Sequence, residues 1–209
     1  MKNTKEKQLL DILEQKPIMP LFYEDDINEA KHLVEECYQG GIRVIEFVNR
    51  GPNALPVFKE LLKMKESYPD LLLGVGTIKT KKQAKQFVKA GTDFVVTPFL
   101  SKKVGKVCIK NNVPWIPGCS TLTEMYTAHT FGASMVKAFP VSTLGGTKFI
   151  KNVLAPCPEL KIMPSGGIQS TPEEINAYKD AGVYAIGLGS SLFKDKKNIK
   201  NLCKQLLMA

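Results

Sequence analysis

The stretch "IMPLFYEDDINEAKHLVEECYQGGIRVIEFV", residues 18–48, holds two short apolar runs on either side of an amphipathic segment. The runs, residues 18–23 and 42–48, have the length and composition of buried strands. The segment between them has a helical pattern and closes on Gly40 and Gly41, a residue type that commonly stops a helix. This order predicts a strand, a helix and a second strand parallel to the first.

The same alternation continues along the chain. Six further apolar runs, separated by helical patterns, cover residues 71–77, 94–98, 113–118, 135–141, 161–167 and 185–191. Eight strands alternating with helices most economically close a (β/α)8 barrel, and an amphipathic stretch at residues 4–15 adds a helix before the first strand. We therefore predict an α/β TIM barrel with an additional N-terminal helix, in a single domain over residues 1–209. A doubly wound open sheet is the competing architecture, but no GxGxxG pattern follows the first strand.

Length and composition set the broad class of the protein. The 209 residues are 44% hydrophobic, enough for one substantial core. No apolar run reaches the roughly 18 residues of a membrane span, and the N-terminus lacks the features of a signal peptide. Five cysteines without a CxxC pair indicate reduced thiols rather than a disulfide framework or a structural zinc site. We expect a cytoplasmic protein with no membrane partner.

The formal net charge of +9 raises the question of a nucleic-acid partner. Almost all of the basic residues are lysines, and Arg43 and Arg50 are the only arginines. Arginine is the residue type best suited to reading phosphates and bases, so we interpret the lysine runs as solvated helix faces. We therefore expect no nucleic-acid partner. The positive charge can still steer an anionic small molecule toward the protein.

In a barrel of this kind the chemistry gathers at the carboxyl ends of the strands. Strand alternation predicts one shared face for a set of five residues in and after the second strand: Ile42, Val44, Glu46, Val48 and Arg50. Lys137 interrupts the apolar run of the sixth strand, where an ammonium group is costly unless it is paired or loses its proton. Structural ion pairs of Glu46 with Arg50 or with Lys137 are one interpretation.

The other interpretation is catalytic. Desolvation favours a neutral lysine amine, which can attack a ketone and form a Schiff base. The protonated imine then accepts electrons from the adjacent carbon–carbon bond. Such a reaction needs a proton shuttle, and Glu46 is the only acid that we place within the strand runs. It requires no metal and no cofactor.

Two glycine-rich strand ends predict a phosphate site. "PSGGI", residues 164–168, follows the seventh strand, and "GLGSS", residues 187–191, ends the eighth. Both offer backbone N–H groups and hydroxyls, and barrels commonly bind phosphate with the loops after these two strands. The residues that we assign to this site are Ser165, Gly166, Gly167, Gly189 and Ser190.

Six motifs together resemble one family. They are "GGIRVIEFVNR", "GVGT", "FVVTPFL", "IPGCSTLTE", "VKAFP" and "MPSGGI", in that order along essentially the whole chain. They resemble the class I 2-keto-3-deoxy-6-phosphogluconate (KDPG) aldolases, which include bifunctional 4-hydroxy-2-oxoglutarate (KHG) aldolases. The resemblance implies a homotrimeric barrel without a cofactor that acts in sugar-acid catabolism of the Entner–Doudoroff type. It implies cleavage of KDPG to pyruvate and D-glyceraldehyde 3-phosphate, with KHG, which yields pyruvate and glyoxylate, as a second substrate.

The resemblance also assigns roles to residues. Lys137 matches the Schiff-base lysine, and Glu46 matches the general acid and base that acts through a water. Arg50 matches the arginine near the substrate carboxylate. The residues that match the pyruvate pocket are Thr77, Pro98, Pro117 and Gly118, and the five residues of the predicted phosphate site match the family's phosphate-binding turns.

The chain departs from the family at three positions of this site. Val48 stands where a threonine is common, Ser165 stands where the family more commonly has threonine, and Cys119 falls at a variable position, where we interpret it as a small buried hydrophobic residue. The preferred keto acid, KDPG, its galactonate epimer or KHG, stays open. Another phosphate-binding barrel enzyme, such as an epimerase or isomerase, and a non-catalytic sugar-phosphate binding barrel are the alternative functions.

Overall fold

The computed structural model describes residues 4–209, in which eight parallel strands alternate with helices. The strands follow the order β7-β6-β5-β4-β3-β2-β1-β8. A bridge between Ser165 and Gly187, and a hydrogen bond of 2.9 Å from the Tyr184 backbone N–H to the Ile162 carbonyl, join the two edges. This arrangement confirms the predicted TIM barrel. Residues 1–3 of the predicted domain lie outside the described residues.

The elements have the following bounds. The strands are β1 Ile18–Phe22, β2 Val44–Val48, β3 Leu72–Gly76, β4 Val95–Thr97, β5 Trp115–Cys119, β6 Val136–Ala138, β7 Ile162–Pro164 and β8 Ile186–Leu188. The helices are α1 Thr4–Gln15, α2 Ile27–Gln39, α3 Ala54–Lys63, α4 Lys81–Ala90, α5 Lys102–Lys110, α6 Leu122–Thr130, α7 Val141–Leu144, α8 Gly146–Leu154, α9 Pro172–Lys179 and α10 Ile199–Met208. None of the helices in this part of the chain has the length and apolar character needed to span a bilayer.

The last three strands are shorter than the apolar runs that predict them. Of the apolar run at residues 135–141, only residues 136–138 form β6, and Val141 already begins α7. The run at residues 161–167 ends early because Gly166 and Gly167 have φ of +89° and +87°, a left-handed backbone that no strand adopts. These endings create the loops that form the site.

The barrel interior is filled by apolar side chains in its amino-terminal half. Val44, Met135 and Met163 belong to this inner cluster, together with Leu9 and Leu13 of α1. Helix α1, at the predicted residues 4–15, therefore closes this end of the barrel. Ile42, which alternation placed on the same face as Val44, precedes β2 instead and packs in the outer cluster between strands and helices.

Candidate active site

The inner layer above the apolar cluster is polar. Because side chains on alternate residues share a face, Glu46 follows Val44 inward and Lys137 follows Met135. Ser165 stands in the same relation to Met163. Glu46, Lys137 and Ser165 are all buried despite their polar side chains. The carboxyl half of the barrel thus encloses titratable groups where the amino half encloses an apolar core.

Lys137 and Glu46 form an ion pair in this layer. The Lys137 Nζ lies 3.6 Å from Glu46 Oε2, and the two side chains are 7% and 1% exposed. This distance suits an ion pair and is longer than a hydrogen bond. Glu46 Oε2 has no hydrogen-bond partner among the described residues, and the Lys137 Nζ lies 5.2 Å from the centre of the Phe139 ring. Packing therefore holds Lys137 and Glu46 in place, and the Oε2 atom of Glu46 can still accept a hydrogen bond.

The environment of Glu46 changes its acidity. Burial raises the pKa of the Glu46 carboxyl above its ordinary value, and the nearby charge of Lys137 offsets part of that rise. A carboxyl with a raised pKa exchanges a proton more readily near neutral pH than an exposed one does. Glu46 can therefore act as both proton acceptor and proton donor.

Gly76 provides the space that Glu46 occupies. A Cβ atom at Gly76 would overlap the Glu46 carboxylate. The next residue, Thr77, has φ of +56°, a left-handed conformation that is costly for a β-branched side chain. Strained residues of this kind are enriched at functional sites. The end of β3 therefore places Gly76 against the Glu46 carboxylate, and the strained Thr77 follows Gly76 in the chain.

The ends of β4 and β5 meet next to Lys137. Gly118 is the β5 residue paired with Lys137, and its missing side chain lets the Pro98 carbonyl approach it closely. Pro117 pairs with Thr97. The structure thus brings Pro98, Pro117 and Gly118 together beside the lysine.

Cys119 follows this group and is buried. Burial raises the pKa of its thiol to about 12, and the Sγ lies 3.7 Å from the Pro117 carbonyl oxygen. A thiol with so high a pKa is a poor nucleophile at neutral pH. Its packing agrees with the interpretation of Cys119 as a small buried hydrophobic residue.

The two glycine-rich turns line one cavity of about 190 Å³. All five residues assigned to the predicted phosphate site lie on its wall: Ser165, Gly166, Gly167, Gly189 and Ser190. The Ser191 hydroxyl joins the two turns, because it donates to the Ile168 carbonyl at 2.8 Å and lies 2.8 Å from the Ser170 hydroxyl. Exposed backbone and hydroxyl groups on a rigid turn are suited to an anion.

Two further polar residues of the same wall, Gln169 and Lys194, were not predicted from the sequence. Lys194 lies in a lysine-rich loop after β8, where neighbouring lysines have the same sequence signal. Only its position relative to the cavity distinguishes it. No group of three or more potential metal ligands (His, Cys, Asp, Glu) occurs within residues 4–209.

Arg50 lines a second cavity of about 390 Å³ together with Val48. Leu21, Gly189 and Ser190 belong to both cavities, so the two are adjacent. The Arg50 guanidinium makes no hydrogen bond or ion pair within residues 4–209 and is exposed. A guanidinium without a protein partner at a cavity wall is available to a carboxylate or phosphate.

Comparison with known proteins relates this geometry to one family. Residues 9–205 match the family described as KDPG and KHG aldolase. A 2-dehydro-3-deoxy-phosphogluconate aldolase of Haemophilus influenzae is 33% identical over 195 residues, 93% of this chain and 89% of that protein.

Two solved structures are similar along nearly the whole chain. The 2-keto-3-deoxy-6-phosphogluconate aldolase of Zymomonas mobilis with 3-phosphoglycerate has a TM-score of 0.84 at 25% identity, covering 99% of this chain and 96% of that one. The KDPG aldolase of Legionella pneumophila, with pyruvate captured at low pH as a covalent carbinolamine intermediate, has a TM-score of 0.78 at 28% identity, covering 95% and 96%. Both similarities extend over nearly the whole barrel.

Proposed function

The chain belongs to the KDPG and KHG aldolase family, and we propose that it cleaves KDPG to pyruvate and D-glyceraldehyde 3-phosphate through a Schiff base on Lys137. We propose KHG, which yields pyruvate and glyoxylate, as a second substrate. Family membership makes the protein a carbon–carbon lyase. The observation that carries the proposed mechanism is the buried pair of Lys137 and Glu46, 3.6 Å apart in the barrel.

The reaction begins with a neutral amine. In the proposed first step Glu46 accepts a proton from the Lys137 ammonium, which leaves a neutral amine and a neutral carboxyl. The Lys137 nitrogen then attacks the C2 carbonyl of the keto acid to form a carbinolamine. Loss of water, assisted by the proton on Glu46, gives the iminium ion.

Cleavage follows from the charge on the iminium. Glu46, acting through a water, takes the proton of the C4 hydroxyl. The C3–C4 bond electrons move into the iminium, which leaves an enamine on Lys137 and releases the aldehyde. Return of the proton to C3 and hydrolysis of the resulting imine release pyruvate and restore the amine. The Legionella relative, which holds pyruvate as a covalent carbinolamine, supports this covalent route.

The remaining site residues bind the two ends of the substrate. We assign the carboxylate to Arg50, because a guanidinium matches a carboxylate with two parallel hydrogen bonds. We assign the pyruvate pocket to Thr77, Pro98, Pro117 and Gly118. We assign the phosphate to the cavity lined by Ser165, Gly166, Gly167, Gly189 and Ser190. The glycines in this cavity let a ligand approach the backbone.

Three broader properties complete the proposal. We propose that residues 1–209 form one domain, that the protein assembles as a homotrimer and that it acts in the cytoplasm.

A steady-state assay tests the proposed activity. Pyruvate release is followed with lactate dehydrogenase and NADH, with KDPG, its galactonate epimer and KHG as substrates in parallel. We expect turnover of KDPG, and the relative kcat/KM values identify the preferred acid. A folded protein that releases pyruvate from none of the three would contradict the proposal and favour a phosphate-binding epimerase or isomerase.

A further inference from the structure

The cavity between the β7 and β8 turns has a single charged residue on its wall. Glycines, serines, apolar side chains and Gln169 make up the rest of that wall, and Lys194 is the one side chain with a formal charge. No aspartate or glutamate lines the cavity. Its field is therefore positive, and any anion that enters meets no carboxylate.

Lys194 differs from Lys196 in having no carboxylate partner among the described residues. Lys196, two residues further along, has its Nζ at 2.6 Å from Glu29 Oε1 and 3.6 Å from Glu24 Oε2. The adjacent carboxylate, Asp195, accepts a hydrogen bond from the Lys197 backbone N–H at 3.1 Å. Lys194 is exposed and forms no ion pair within residues 4–209. Its ammonium is free to bind a ligand.

A cation at this position would stabilise a bound phosphate monoester. It carries about −1.5 to −2 charges at pH 7, and backbone N–H groups and hydroxyls supply only partial charges against it. An ammonium group is a full compensating charge, and lysine is a common phosphate ligand. Lys194 stands at the wall where the turns of Ser165 and Ser190 provide the neutral donors.

We propose that Lys194 binds the phosphate of the sugar acid and so selects the phosphorylated keto acid over the non-phosphorylated one. This inference rests on the proposed aldolase function and adds the residue that sets its substrate preference. The phosphate of KDPG lies two carbons and an oxygen beyond C4, whereas the second carboxylate of KHG is attached to C4 itself. With both acids anchored through C2 to Lys137, the phosphate of KDPG extends further from that anchor than the second carboxylate of KHG does, and we assign the contact with Lys194 to that phosphate.

Three variants test this assignment. Lys194→Met removes the charge and keeps the length of the side chain, and Lys194→Arg restores a cation. Lys197→Met is the matched control, because Lys197 is an exposed lysine of the same loop outside the cavity wall. We expect Lys194→Met to lower the ratio of kcat/KM for KDPG to kcat/KM for KHG about tenfold. Lys194→Arg should recover most of that ratio, and Lys197→Met should keep it within about twofold.

A binding measurement separates this inference from the proposed reaction. Inorganic phosphate is titrated into each protein and the backbone N–H resonances of Gly166, Gly167 and Ser190 are followed by NMR. We expect the Kd for phosphate to rise about tenfold in Lys194→Met only. Wild-type protein that cleaves KDPG while Lys194→Met keeps both the ratio and the phosphate affinity would overturn the role of Lys194. If the wild-type protein binds phosphate through Lys194 but cleaves neither acid, the proposed aldolase function is wrong. The proposed substrate preference is then wrong as well.

Discussion

Glu46 and Lys137 come from strands on different sides of the barrel, yet the carboxylate oxygen and the ammonium nitrogen lie 3.6 Å apart with almost no exposure to solvent. Burying two charged groups in an apolar interior costs folding free energy, and titratable groups in such environments are enriched at functional sites. Their placement directly above the inner apolar cluster makes the two side chains face the same space, as the proposed roles of nucleophile and proton carrier require.

Substitution of the lysine should abolish the reaction. We expect Lys137→Ala to lower kcat/KM for KDPG by at least about 10⁴-fold, because the variant lacks the amine on which the proposed imine forms. Circular dichroism should show an intact fold. Lys161→Ala, at a half-buried lysine preceding β7, is the control and should keep substantial activity. Turnover of Lys137→Ala close to that of the control would contradict the mechanism.

Substitution of the glutamate should slow the reaction without preventing the first covalent step. We expect Glu46→Gln to lower kcat by about 10²–10⁴-fold, because an amide cannot carry the proton. Single-turnover experiments should still detect some imine with pyruvate. An unchanged kcat would remove Glu46 from the proposed scheme.

The same substitution should change how stability depends on pH. Because burial raises the pKa of Glu46 above 4.5 in the folded protein, the folded state holds this proton more tightly than the unfolded chain does. The resulting stabilisation is complete below pH 4.5 and is lost as the pH rises through the raised pKa. Urea unfolding at several pH values should therefore show Glu46→Gln gaining stability relative to the wild type as the pH rises.

An exposed carboxylate gives the control of opposite sign. The hydrogen bond from Lys63 lowers the pKa of Glu60, so that its contribution is present above pH 4.5 and lost as the pH falls. Glu60→Gln should therefore lose stability relative to the wild type as the pH rises. A Glu46→Gln variant that follows the trend of Glu60→Gln would show that the carboxylate of Glu46 is stabilised, not destabilised, by folding.

Gly76 should be required for the position of Glu46. We expect Gly76→Ala to displace the carboxylate and lower kcat about 10²-fold, because small displacements of a catalytic group have effects of that size. Gly74→Ala, in the same strand, meets the Phe94 ring instead and is the matched control. Both variants should lose thermal stability. Equal activity per folded molecule in the two variants would indicate that Gly76 has only a structural role.

The sequence predicts most of the fold because the strand and helix periods alternate clearly from residue 18 onward. The sequence also predicts that Glu46 faces the barrel interior, because side chains alternate along a strand and Glu46 shares the face of the apolar Val44. The positive φ of Thr77 and the role of Gly76 could not be predicted, because both depend on what packs against the end of β3. Lys194 could not be predicted because it resembles Lys196 in sequence, and its place on the cavity wall and its lack of a carboxylate partner within residues 4–209 become visible only in the fold.

The most direct test is to trap the imine. The protein is incubated with pyruvate and borohydride, and its intact mass and peptide map are measured beside those of Lys137→Ala. The proposed mechanism predicts one reduced pyruvyl adduct per chain, on Lys137, that is missing from the variant. A folded wild-type protein without an adduct, or with the adduct on another lysine, would contradict it and leave Lys137 as a structural partner of Glu46.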